Sequence, residues 1–159
     1  LKKQIEILLN KVGNTTNYNS IVNNTIVLNN YGEEDMSHIT DSLKAKLLKV
    51  PFGMIPKMIE HVHFTKPENK NIMITNSRDN KLKIFKNNKW VYQDKSQALN
   101  DLVDNNYFVL DNYFETTMLT LDELQKENYK KFRNLINTGD KALIENIKRD
   151  CELILLNNR

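Results

Sequence analysis

Residues 72–92 read IMITNSRDNKLKIFKNNKWVY, and this stretch decides the fold. Three short β-rich runs, 72–76, 81–86 and 89–92, are separated by the pairs Asp79-Asn80 and Asn87-Asn88. Asn and Asp tolerate the left-handed backbone that two-residue hairpin loops demand. The spacing therefore predicts two tight hairpins and a three-stranded antiparallel meander. Leu82 and Ile84 on one run, and Trp90 and Tyr92 on the next, alternate with polar residues, so one sheet face is expected to be buried against helices.

Away from this stretch the apolar period changes from two to three or four. Upstream, turn residues at 29–35 lead to Ser37 and Thr40, both suitable caps for a short helix ending near Leu48. Pro51 is expected to break it, and a second helix is expected from Gly53, with Pro56 in its first turn and Ile55, Met58, Ile59 and Val62 on one face. Residues 65–71 read as a loop. Downstream, Asp94 is a plausible cap for a helix carrying Ala98, Leu99, Leu102 and Val103, and the aromatic stretch Tyr107, Phe108, Tyr113, Phe114 either extends that helix or starts another. A further helical run holds Leu121, Leu124, Phe132, Leu135 and Ile136. Thr138-Gly139-Asp140 supplies a stop and a fresh cap for a last helix with Leu143, Ile147, Cys151 and Ile154. The expected class is α+β, mostly helical with one central three-stranded antiparallel meander, in a compact domain over 29–159.

Ahead of this domain, Leu1, Ile5, Leu8 and Val12 recur with spacings of four, three and four, a coiled-coil-like stripe over 1–13 suited to oligomerisation. Residues 14–28 read as a linker or extended arm. The chain opens on Leu1 inside a helical pattern, so it is expected to be a piece of a longer protein. At 159 residues and 18.7 kDa it fits one domain with an appendage. Hydrophobic residues at 40% fill a core, and no apolar run approaches the roughly 20 residues that span a bilayer. A soluble protein with no membrane partner is expected. The single cysteine, Cys151, forbids an internal disulfide and suits an intracellular setting. The 24 asparagines are explained most simply by an AT-rich genome.

The net charge of +3 conceals blocks. Residues 57–95 carry nine Lys/Arg against four acids, whereas 99–127 carry seven acids and only Lys126, and 128–159 return to seven bases against four acids. The central block is suited to phosphate, and the acidic one repels it.

The segment 29–35 (NNYGEED), followed by His63-Phe64, by 67–72 (PENKNI) and by Trp90 in a lysine-rich hairpin, resembles the carboxy-terminal domain of uncharacterised giant DNA virus proteins of the mimivirus kind. The resemblance covers about residues 20–159. In that family it implies a zinc finger at the amino terminus, a coiled coil before this domain, contact with DNA through the fingers, and a setting in the host cytoplasm, viral factory or virion. This chain holds no finger, so zinc-dependent reading of DNA does not belong to these residues.

Glu60, His61 and His63, with Glu68, Asn69, Asn71 and Asn76 nearby, form the densest group of catalytic residue types. A helix or strand end delivering a histidine, followed by an asparagine-bearing loop and a hairpin, superficially resembles metal-dependent HNH-type nucleases, in which a histidine activates water and a metal stabilises the phosphoryl oxyanion. The competing expectation is structural: one histidine caps the helix end and the other bonds the 67–71 loop. His38 is expected to be structural too. Lys81, Lys83, Lys86 and Lys89 beside Trp90 and Tyr92 make a basic, aromatic sheet of the kind that stacks bases and neutralises phosphates, while core packing is the simpler use of Trp90. The chain lacks a Gly-rich phosphate loop, a His-Glu-x-x-His helix and a Ser-His-Asp pattern, so no cofactor, no metal and no small-molecule substrate are expected within it. The leading expectation is a non-enzymatic module binding DNA or RNA and assembling as a homo-oligomer. A protein-interaction scaffold and an HNH-like nuclease are the alternatives.

Overall fold

The computed structural model describes residues 25–159. The stripe Leu1, Ile5, Leu8, Val12 and most of the 14–28 arm lie outside the described residues. Residues 25–30 carry no regular element. The order is α1 (Asp41–Leu48), α2 (Pro51–Phe64), a 3₁₀ turn (Pro67–Asn69), β1 (Ile72–Met73), β2 (Lys81–Lys86), β3 (Lys89–Asp94), α3 (Lys95–Thr117), a 3₁₀ turn (Met118–Thr120), α4 (Glu123–Asn137) and α5 (Lys141–Asn157). The protein is α+β, with one three-stranded antiparallel sheet ordered β1-β2-β3.

The helices begin where side chains satisfy their orphan amides. Thr40 accepts from the Leu43 amide, Asp94 from Gln97, Asp122 from Gln125 within a capping box, and Asp140 from Leu143. Pro51 does not merely end α1; it opens α2 at a position whose amide has no helical partner in any case. That moves Pro56 from the expected first turn into the second, where its ring removes the bond to the Phe52 carbonyl. Beyond Asp94 a single helix of 23 residues absorbs the whole aromatic stretch.

The core gathers Met54, Ile55, Met58, Ile59 and Val62 of α2, Leu82 and Ile84 of β2, Ala98, Leu99, Leu102 and Val103 of α3, and Ile147, Cys151 and Leu155 of α5. The thiol of Cys151 is fully buried, and that burial pushes its pKa up to about 12, the state of an inert packing group. A second aromatic focus joins α3 to α4. Phe114 stacks on Tyr129 at 4.0 Å between centroids, the Tyr129 hydroxyl donates to Asp111 at 2.9 Å, and the Arg133 guanidinium lies 4.8 Å from the Phe114 ring while donating to Asp111 and Glu115.

Three sequence expectations are corrected here. Leu124 is 76% exposed rather than packed, because the face of α4 that meets α3 is set by Tyr129 and Phe132. The β1–β2 connection is not a two-residue hairpin. β1 ends at Met73, and the loop before Lys81 folds on its own side chains, with Asn76 accepting from the Arg78 amide and Asp79 from the Lys81 amide. Asn87-Asn88 does form the tight turn, with φ of 53° and 61°, and its register produces the third correction. Lys86 pairs Lys89, Phe85 pairs Trp90, Ile84 pairs Val91 and Lys83 pairs Tyr92. Trp90 and Tyr92 therefore lie on the face opposite Leu82 and Ile84, not with them in the core.

Candidate nucleic-acid interface

The outward face of the hairpin is built by that register. A two-residue turn joins residues whose numbers differ by three, so odd positions on β2 share a face with even positions on β3. Lys81, Lys83 and Phe85 thus stand beside Asp94, Tyr92 and Trp90. Tyr92 is 66% exposed and Trp90 37% exposed, values at odds with a packing role for either ring. Phe85 meets Trp90 edge to face at 5.6 Å, which steadies the indole, and the Lys83 ammonium lies 5.1 Å from the Tyr92 ring centroid. Asp94, the one acid on this face, is occupied in capping α3.

Lys86 and Lys89 separate from the other two lysines. They are opposite one another at the tip, on the parity of Leu82 and Ile84, and both are exposed. Two like charges facing each other across a ladder destabilise it by a few tenths of a kcal/mol to about 1. The acidic block does not reach the outward face. Asp101, Asp104, Asp111 and Glu115 ride on α3, whose Ala98, Leu99, Leu102 and Val103 share the core with the inward residues Leu82 and Ile84. Asp111 and Glu115 are in addition paired with Arg133.

The histidine group resolves into a buried network of amides. His63 is 1% exposed, and its Nδ1 lies 3.1 Å from the Asn69 carbonyl and 3.0 Å from Asn71 Oδ1. Both partners are acceptors, because the Asn71 amide nitrogen already donates to the Asn29 carbonyl and to Glu34. Nδ1 therefore carries the proton, and burial holds the ring neutral by pushing its pKa down. Asn69 is saturated: Oδ1 accepts from the Asp35 amide and from Asn29, and Nδ2 donates to the carbonyls of Asp35 and Val62. Glu68 contributes its carbonyl to the Asn29 amide at 2.7 Å. Lys66 bonds Asp35 at 2.7 Å and holds that carboxyl well below the usual range.

His61 and His63 are thus not brought to a common metal. His61 offers its carbonyl to His38 Nε2 at 2.6 Å and to the Thr65 hydroxyl. His38, not His61, is the histidine that satisfies the end of α2. Among the described residues no three His, Cys, Asp or Glu side chains form a metal-holding group, and no helix is long and apolar enough to cross a membrane. Sequence reasoning missed Phe85, Glu34 and Asn106. Phe85 was legible from the turn parity alone, whereas the other two are joined to His63 only by the tertiary fold. No protein family matches the chain, nor does any curated protein or solved structure.

Proposed function

We propose that the outward face of the β2–β3 hairpin binds single-stranded nucleic acid and that the module does so without catalysis. The observation carrying this reading is the exposure of Trp90 and Tyr92 on the same face as Lys81 and Lys83. Aromatic rings on a sheet surface give unpaired bases a stacking platform, and lysines between them meet the phosphates. Duplex bases are already stacked, so a single strand is the form that gains from this face. Apart from Asp94, which is engaged in capping, the face is free of acids, which removes the main objection raised by the charge blocks. The stripe Leu1, Ile5, Leu8, Val12 adds self-association to the proposal and would multiply the number of faces on one strand. The reading agrees with the resemblance to giant virus proteins.

Trp90 is the single tryptophan, so its fluorescence reports on the face directly. Titration of the full chain with a short oligonucleotide at low salt is expected to quench it. Tyr92→Ala is expected to lower affinity by roughly 5- to 150-fold, the equivalent of the ~1–3 kcal/mol of one stacked base. Unchanged emission, together with unchanged anisotropy of a labelled strand, overturns the proposal.

A further inference from the structure

A cavity of about 250 Å³ opens between the Tyr31-Gly32 turn, the end of α2 and the middle of α3, on residues that the hairpin face does not use. The turn is held open there by Gly32, whose φ of +91° favours glycine, and by the Glu33 amide bonded to the Asn30 carbonyl at 2.8 Å. Tyr31 stacks on His63 with ring centroids 6.1 Å apart, and Val62, Leu102 and Val109 supply apolar wall.

Three of the polar groups lining this cavity keep an acceptor atom. His63 has its Nδ1–H tied to Asn69 and Asn71, which leaves Nε2 as a lone-pair acceptor. Asn106 donates one amide N–H to the Leu102 carbonyl at 2.7 Å, which leaves Oδ1 and its second N–H. Glu34 receives the Gly32 amide and Asn71 on Oε2, which leaves Oε1. Among the described residues none of these three remaining atoms has a partner. All three accept, one belongs to a carboxylate, and Asp101 adds negative potential at Tyr31. An anion would face the Glu34 carboxylate here, so a cationic donor is the better match. A metal ion is a poor match, since the cavity brings only one histidine and one carboxylate.

We infer that this cavity binds a primary ammonium group on an apolar stem, with Glu34, His63 and Asn106 accepting its three N–H donors. An ammonium carries three donors and no acceptor, the complement of this set, and the apolar wall suits several methylenes beside the Tyr31 ring. Two sources share that chemistry: a free alkylamine, and the lysine side chain of a partner protein.

The test is an NMR titration of the full chain, following the His63 and Tyr31 ring signals. The probes are n-butylammonium, its trimethylated analogue, and a short glycine peptide bearing one lysine. Saturable shifts with butylammonium assign the site to free amines, and shifts with the peptide alone assign it to a protein lysine; both support the proposal. The trimethylated probe has no N–H to donate and is expected to bind at least 5-fold more weakly. Glu34→Gln and Asn106→Leu are each expected to weaken binding at least 5-fold, with folding checked by circular dichroism. Glu34→Gln keeps an acceptor oxygen for the turn, so one folded variant remains if Asn106→Leu fails. No shift with either N–H probe, equal binding of the trimethylated one, or indifference of the folded variants overturns the inference.

Discussion

His63 shows how one side chain links burial to pH. Its neutral ring is required in the fold, whereas in the unfolded chain it protonates near the ordinary value of 6.5. The unfolded state then binds the extra proton, so stability is full above pH 6.5 and falls as pH drops toward the lowered native pKa. The expected slope is at most about 1.4 kcal/mol per pH unit. Denaturant midpoints measured between pH 7 and 5 check this, and His63→Asn, which keeps a donor near the Nδ1 position but does not titrate, is expected to flatten the slope. Asn69 stands behind this histidine with all four amide sites used. The Pro-Glu-Asn-Lys-Asn run already suggested a loop binding a histidine. Which atoms meet was not legible, because partners such as Asn29, Asp35 and Val62 come from segments up to 40 residues away.

At the scale of elements, the hairpin depends on a turn in which Asn87 and Asn88 both take positive φ. Asn88→Ala is expected to cost about 1 kcal/mol, since alanine resists that conformation, while Asn88→Gly is expected to be close to neutral in thermal unfolding. The α3–α4 junction depends on Asp111, which receives both the Tyr129 hydroxyl and Arg133. Asp111→Ala strands the buried Tyr129 hydroxyl and removes one of the two acids on Arg133. A loss of about 1–3 kcal/mol in urea unfolding is expected, with Glu115→Ala, whose side chain is about half exposed, costing well under 1. Caps were the most legible part of these elements. Asp94, Thr40 and Asp140 act locally, through amides three residues away, so nothing distant competes with them. Leu124 was misread because helical period states that a stripe exists but not which neighbour covers it.

Over the whole molecule, the sheet divides charge between two sides, with Lys81 and Lys83 outward and the acids of α3 behind it. Binding of a single strand is therefore expected to weaken with salt, log affinity falling by about 0.7 per phosphate contact for each tenfold rise in salt. Lys81→Glu with Lys83→Glu is expected to lower the slope by about 1.4, whereas Lys86→Glu with Lys89→Glu, at the tip and on the other parity, is expected to change it less. Anisotropy measured across a salt series decides between the pairs, and equal effects would remove the distinction drawn by register. The α+β class, the meander, most caps and the buried fate of Cys151 were determined by the sequence alone, because local period, turn chemistry and capping act over a few residues. Tertiary structure alone decided that Leu124 is left uncovered, that His38 rather than His61 closes α2, and that Glu34, His63 and Asn106 line one cavity. Each of these depends on segments meeting across long stretches of chain, and no short-range pattern carries that information.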